Sequence, residues 1–324
     1  MATPRTAASK RQMTPSTDSS KRRSSLTLNR VLSGRIKKHD SPRSSEVDSS
    51  FFEEGSSRLD EVEKELEADR YEEMMEEKKL FPNSEAWAAD EERLFQLLFM
   101  RQYSPLMPVH WIVDFRGIPV PSILFATSEV DRPVVYSHLE QDFRATKAII
   151  RLIDLTATVR AFVQTNMKEK IPGHMKKEID RYVRWAAMDG GYQYPHPLPN
   201  LIVEVIDQTV SGDGIQSIQD YVENRIKDLA ERHRAFWRRD NHSPPAGRDA
   251  WIEPPPVLYG LFIVNTTLLV VTVDPAKGPK TYVSFQVEVN FNKQNQGVWN
   301  AITVAIVVCL ARDDMMTRKK YFEK

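Results

Sequence analysis

The stretch from Val257 to Ala311 constrains the fold most strongly, because it is the most apolar and most regularly patterned part of the chain. It reads VLYGLFIVNTTLLVVTVD, then a Pro/Gly/Lys turn, then TYVSFQVEVNF, and it ends in VWNAITVAIVVCLA. The first two runs are apolar on both faces, as is typical of strands at the centre of a sheet. We therefore predict two central strands, Val257 to Asn265 and Thr266 to Asp274, with the core built on them.

The segment that follows, residues 281–291, alternates apolar and polar side chains. The apolar set is Val283, Phe285, Val287, Val289 and Phe291, and the polar set includes Gln286 and Glu288. A period of two predicts a strand that buries the first set and exposes the second. Residues 298–316 are rich in β-branched side chains, which suit a strand, but their length and the N-cap candidates before them favour a buried helix.

Apolar periodicity predicts further elements before this block. Helices are expected at about Glu85–Gln102, His138–Met167, His174–Met188 and Ile215–Arg239, and strands at His110–Phe115, Ile118–Ala126 and Leu201–Ile206. Pro119 and Pro121 cannot donate to a sheet ladder, so the strand that contains them is expected either to lie at an edge or to start late. The element order predicts an α/β fold, with α+β as the alternative: a mixed sheet with a C-terminal three-stranded core flanked by helices.

Composition divides the chain into three regions. Residues 1–50 are basic and Ser-rich, with too few apolar side chains to offset the entropy cost of ordering, which predicts a disordered tail. Residues 51–82 are acidic and favour a helix, whose narrow apolar stripe indicates an exposed helix rather than a coiled coil. Residues 83–324 form the predicted globular domain, interrupted by a proline-rich loop at 241–256.

Charge is segregated along the chain although the formal net charge is zero. Residues 1–48 carry eleven Lys or Arg against four Asp or Glu, and residues 52–79 carry five against twelve. The basic clusters are Lys21, Arg22 and Arg23, then Arg35, Lys37 and Lys38, with eleven residues between Arg23 and Arg35. This spacing resembles a bipartite import signal and predicts a nuclear protein; a merely solubilising tail on a cytoplasmic protein is the alternative. Ser/Thr-Pro and Arg-Arg-Ser-Ser sequences nearby are candidate phosphorylation sites.

Cysteine content, hydropathy and charge limit the kinds of partner that this chain could bind. The only cysteine, Cys309, lies in an apolar run, so no disulfide-linked partner is expected. No run reaches the roughly 18 apolar residues that span a bilayer, so no membrane contact is expected. Two basic helix faces are predicted, formed by Arg144, Lys147 and Arg151 and by Lys177, Arg181 and Arg184. Such faces are usually the solvated side of a helix, but they would also suit an anionic partner, including nucleic acid.

The order of a helix, three strands and a helix resembles the core of the restriction-endonuclease-like PD-(D/E)xK nucleases. That resemblance implies Asp274 and Glu288 as Mg²⁺ ligands, although Asn290 stands where the family pattern has Lys. The two carboxylates would need to lie roughly 4 Å apart around one ion. Antiparallel pairing instead places Glu288 opposite about Thr267, roughly 23 Å from Asp274 at about 3.3 Å per residue.

Other catalytic patterns are missing from the sequence. It contains no P-loop, dinucleotide-binding fingerprint, nucleophile elbow or Cys/His pair. His196 and Asp189 to Gly191 occupy a loop that could line a pocket, but turn chemistry accounts for them. The sequence therefore leans against an enzyme and against any cofactor. The alternative is an active or degenerate PD-(D/E)xK protein that acts on nucleic acid with Mg²⁺.

Four phrases carry a further resemblance: WAADEERLFQLLFMRQYSPLMPVHWIVDF, LYGLFIVNTTLLVVTVD, VSFQVEVNF and VWNAITVAIVVCLARDD. They are similar to uncharacterised proteins of filamentous ascomycetes over most of residues 84–316, and more weakly to nuclear colony-morphology factors encoded in fungal subtelomeric clusters. The resemblance implies a non-catalytic nuclear regulatory or scaffold protein that influences gene expression or colony morphology through protein partners. No functional residue carries over from it.

Overall fold

The computed structural model describes residues 68–127, 133–206, 215–238 and 251–322. These residues belong to one compact unit, Lys64–Lys324. The predictions for the tail 1–50, for the import clusters, for residues 51–67 and for residues 241–250 of the proline-rich loop lie outside the described residues. Residues 251–256 of that loop are described, and Pro255 and Pro256 are buried.

Helices and a single sheet form the described fold. The helices are α1 (Ala89–Met100), α2 (Asp142–Gln164), α3 (Ile171–Asp189), α4 (Ile215–Trp237) and α5 (Gly297–Arg318). The strands are β1 (Leu201–Val205), β2 (Leu258–Val264), β3 (Thr267–Val273) and β4 (Ser284–Asn290). Residues 68–79 are also helical.

The sheet is mixed, which confirms the predicted α/β class. Its strand order is β1-β2-β3-β4, with β1 parallel to β2 and the two remaining pairs antiparallel. Asn265, at φ 54°, supplies the left-handed backbone that the two-residue turn between β2 and β3 needs. The parallel connection from β1 to β2 runs through α4, as a crossover between parallel strands requires.

Helices cover both faces of the sheet. On one face Leu261 and Val270 belong to a large core that also includes side chains of α1, α2, α3 and α5. On the other face Phe262 and Val271 pack in a smaller core with α4. The central strands are therefore apolar on both sides, as their sequence predicts.

Residues 298–316 lie within a helix, α5, as predicted, although Gln296 at its N-cap makes no side-chain capping hydrogen bond. α5 contacts α1, α2 and α3 as well as the sheet, so its residues from Asn300 to Arg312 are all buried. Because α5 is buried on every side, it needs no polar face toward solvent. Its packing contacts also outweigh the weak helix propensity of its β-branched residues. No helix in the described part of the chain is long and apolar enough to cross a membrane.

Two strands predicted before α2 are wrong. The structure has short 3₁₀ helices at Val109–Val113 and Ser122–Leu124 in place of strands over His110–Phe115 and Ile118–Ala126. Pro108 and Pro121 immediately precede these turns and lack the N–H groups that a ladder needs. Burial of Trp111, whose exposed fraction is 0%, explains the apolar pattern without a strand.

The predicted alternation along β4 is confirmed at Val287, Glu288 and Val289 but wrong at Phe285 and Gln286. The β3–β4 register shifts between Val270 and Val271, which is the signature of a β-bulge. Gln286 is the extra residue at the bulge, since Val270 pairs with Val287 and Val271 with Phe285. Gln286 is buried and Phe285 is 42% exposed, the reverse of the prediction. Glu288 is exposed, as predicted.

The acidic helix contacts the domain through its described residues. Met74 is buried, and Lys78 Nζ lies 2.6 Å from Glu92 Oε1 on α1. The guanidinium of Arg70 lies 3.8 Å from the centre of the Tyr103 ring. The prediction of an exposed helix is therefore wrong at Met74, because the narrow apolar stripe packs against protein.

Candidate binding groove

The outer edge of β1 is the first feature of the candidate site. Asn200 O accepts from Tyr259 N at 2.8 Å and Ile206 N donates to Ile263 O at 2.9 Å, which fixes the ladder between β1 and β2. Because bonding alternates along a parallel strand, odd-numbered residues of β1 turn their N–H and C=O groups away from β2. These residues are Leu201, Val203 and Val205. No strand in the described ranges pairs with this edge.

Lys176 on α3 reaches across the free edge. Its Nζ donates to Val203 O at 2.8 Å and pairs with Asp180 Oδ2 at 2.7 Å. The Lys176 side chain is 39% exposed, so it can leave the strand for solvent. A lysine over an edge strand is a common guard against unwanted strand pairing, and here it covers one carbonyl.

A cavity of about 200 Å³ opens beside the same edge, between α3, α5 and the loop at residues 192–200. Its apolar lining includes Val183, Ala187, Val308, Ala311 and Met315. Pockets for drug-sized ligands usually measure about 300–1,000 Å³. This cavity is smaller, and its size and lining suit one apolar side chain.

The loop at residues 192–200 forms a wall of the cavity and is held from both sides. On α4, His233 Nε2 lies 3.0 Å from Pro199 O, and Arg232 Nη2 donates to Pro197 O at 2.6 Å. Asn200 Nδ2 donates to Ala311 O on α5 at 2.9 Å. The wall is thus anchored to two helices.

His196 belongs to this wall and His233 holds it from α4, and burial lowers the pKa of both. The pKa of His233 falls to about 4, and the pKa of His196 is also lowered. Leu198 N lies 3.1 Å from His196 Nδ1, and the ring of His196 lies 4.5 Å from that of Phe322. Burial thus disfavours the charged form of both imidazoles.

A basic recess continues from the cavity along α3. It is lined by Gly173, Lys176, Lys177, Asp180, Arg181 and Arg184, so it shares Lys176 and Asp180 with the cavity. Lys176 is paired with Asp180 and Arg181 with Glu178. In the described residues Lys177 and Arg184 form no ion pair, and Arg184 lies over the Tyr194 ring at 5.4 Å. We call the free β1 edge, the cavity and this recess the groove.

The two basic helix faces predicted from the sequence lie in different surroundings. Lys177, Arg181 and Arg184 lie together in the recess, whereas its lining contains none of Arg144, Lys147 and Arg151. The latter three lie on the outer side of α2, where Arg144 bonds to Gln141 and Lys147 faces the Phe143 ring.

The structure does not bring Asp274 and Glu288 together. Glu288 is opposite Leu269 on β3, five residues before Asp274, which is roughly 17 Å at about 3.3 Å per residue. Asp274 Oδ1 accepts from Ala276 N at 2.9 Å and so caps the turn after β3. In the part of the chain that the structure describes, no group of three His, Cys, Asp or Glu residues could hold a metal ion.

Asp189, which sequence reasoning assigned to turn chemistry, has a larger structural role. It is buried and accepts from Ser137 Oγ, from two backbone N–H groups and from Arg312 Nη1. The signal in the sequence was Arg312 itself, a charged residue one position after a long apolar run. Cys309 lies nearby on α5, where burial raises the pKa of its thiol and Tyr182 Oη lies at 3.7 Å.

Comparisons of this chain with protein-family models, with curated proteins and with solved structures gave no match. The interpretation of the groove as a binding site therefore depends on the geometry of the described residues alone.

Proposed function

We propose that this chain is a non-catalytic interaction protein that binds an extended segment of a partner protein in the groove. One observation carries the proposal: the free edge of β1 lies directly beside a preformed apolar cavity. Neither feature alone would indicate a binding site. An edge strand can be protected from pairing without binding anything, and a small cavity can be a packing defect.

The two features fit one binding mode. An extended peptide adds a strand to a free sheet edge through main-chain hydrogen bonds, and pockets for alternate side chains supply the specificity. Here Val205 is half-buried and offers its outward groups at the edge, whereas Leu201 and Val203 are 8% and 9% exposed and can be reached only through the cavity that they line. The cavity accepts one apolar side chain. Lys176 would release Val203 O when the peptide binds.

We further propose that the protein acts in the nucleus as a regulatory or scaffold protein of a filamentous fungus. The two basic clusters and the resemblance described above support this proposal. Replacing Lys21 to Arg23 and Arg35 to Lys38 by Ala should move a fluorescently tagged protein to the cytoplasm. A tagged variant that stays nuclear would contradict the import role of the clusters.

Peptide capture can be tested with the full chain and a phage-displayed library of random peptides long enough to span β1. The enriched peptides are then titrated by fluorescence anisotropy against two variants that block the groove differently. Val205→Pro removes an outward N–H and places a ring at the edge, and Val205→Thr is its matched control. Ala187→Leu fills the cavity.

Both blocking variants should weaken binding by about tenfold or more, because each removes a different part of the contact. Unfolding midpoints show whether each variant is folded. If one of the two blocking variants does not fold, the other still tests the proposal. Peptides that bind equally well to both folded variants, or a library that yields no enriched sequence, would overturn the proposal. Mg²⁺-dependent DNA cleavage that is lost in Asp274→Asn would also overturn its non-catalytic part.

A further inference from the structure

The basic recess indicates which partner segment the groove takes. We infer that the bound segment is acidic: its carboxylates contact Lys177 and Arg184 while an apolar residue beside them enters the cavity. This inference rests on the proposed function and adds the chemistry of the partner.

The charge of the recess is not balanced within the described chain. Lys176, Lys177, Arg181 and Arg184 face two acids, Asp180 and Glu178, and each acid is already paired with one base. Two positive charges remain, on Lys177 and Arg184, and both side chains are exposed. The surplus lies at the mouth of the cavity because Lys176 and Asp180 line both features.

The spacing of these two charges limits the sequence that can meet them. Lys177 and Arg184 are seven residues apart on α3, which is about 10 Å at 1.5 Å per residue. An extended peptide covers that distance in about three residues. Two acidic residues separated by two to four positions can therefore reach both charges.

A nucleic acid is a less suitable occupant of this recess. Binding through phosphates needs several cations along a stripe, and only two cations are unpaired here. Single-stranded nucleic acid also needs exposed aromatic faces for stacking, and the Tyr194 ring lies under Arg184. The apolar cavity next to the recess has no counterpart in a phosphate backbone.

The same library selection tests the inference with matched charge variants. Enriched peptides should contain two acidic residues at the stated spacing next to a large apolar residue. Lys177→Ala and Arg184→Ala should each weaken the selected peptide by about fivefold, since exposed charge pairs contribute up to about that factor. Lys147→Ala and Arg151→Ala on α2 are the controls, because they remove equal charge outside the groove.

Charge exchange gives the sharpest result. The Lys177→Glu/Arg184→Glu variant should lose the acidic peptide and gain a version of it in which Lys replaces the acids. Peptides that bind without acidic residues, or that are insensitive to both alanine variants, would overturn the inference. If Val205→Pro still abolished their binding, the proposed function would stand, and the two failures would be distinguishable. A single-stranded oligonucleotide that binds more tightly than any peptide, and that depends on Lys177, would also overturn the inference.

Discussion

Arg312 Nη1 lies 2.8 Å from Asp189 Oδ2, and both side chains are buried, with 0% and 2% exposure. The pair connects α5 to the end of α3. Arg312 also donates to Tyr136 O at 2.7 Å, and Asp189 accepts from the N–H groups of His138 and Leu139. A single buried contact therefore joins two helices to the segment that leads into α2.

Removing one member of this pair should destabilise the fold strongly. Arg312→Met leaves the buried Asp189 carboxylate without its cationic partner, which costs about 3–5 kcal/mol. Asp189→Asn should cost less, because Arg312 keeps its second ion pair with Asp313 at 2.8 Å. Urea unfolding measures the loss. Glu76→Gln, in the exposed pair with Lys79, is the control and should leave the stability almost unchanged. Equal losses in Arg312→Met and the control would show that the buried pair contributes nothing.

Much of the architecture was predictable because it follows from periodicity. The runs of β2 and β3 are apolar on both faces, and α3 and α4 show helical spacing, so each was placed within a few residues. The strands predicted over residues 110–126 are absent from the structure, because apolar residues between prolines pack in 3₁₀ turns as readily as in strands. The bulge between Val270 and Val271 was hidden for a similar reason: the sequence of β4 alternates, and the shift depends on its partner strand.

The groove was largely invisible in the sequence because it depends on strand order. The run of β1 resembles a central strand, and only the pairing of β2 with β3 leaves β1 at an edge. The basic face of α3 was visible, but its position beside that edge was not. Lys176 was not singled out, since its role depends on a carbonyl oxygen 27 residues away.

Thr272 on β3 links a buried carboxylate to the bulged strand. Its Oγ1 donates to Glu91 Oε1 at 2.8 Å and accepts from Gln286 Nε2 at 2.9 Å. Thr272→Val keeps the shape but leaves both groups without this partner, so we expect a loss of about 1–3 kcal/mol in the free energy of unfolding. Thr267→Val on the same strand is the control and should be near neutral. Equal effects would show that the link is not stabilising.

His233 should make stability depend on pH. Its pKa is lowered from 6.5 to about 4 by burial, so the folded protein resists protonation that the unfolded chain accepts. The stabilisation is complete above pH 6.5 and is lost as the pH falls toward 4. Between pH 7 and pH 5 the wild type should lose about 2 kcal/mol more than His233→Gln, whose amide does not titrate. Parallel losses in urea unfolding at the two pH values would contradict the assignment.

Lys176 should keep the β1 edge from pairing with a second copy of the chain. Lys176→Met retains the aliphatic stem but removes the donor to Val203 O, so a free carbonyl and a free strand edge result. The lost ion pair with Asp180 is partly exposed and should cost less than about 1 kcal/mol. We expect the sedimentation-derived mass of this variant to rise with protein concentration while its unfolding midpoint changes little. Lys177→Met removes the same charge from the adjacent residue without touching the strand, and it should stay at the wild-type mass. If both variants behave alike, the change reflects charge alone and Lys176 does not guard the edge.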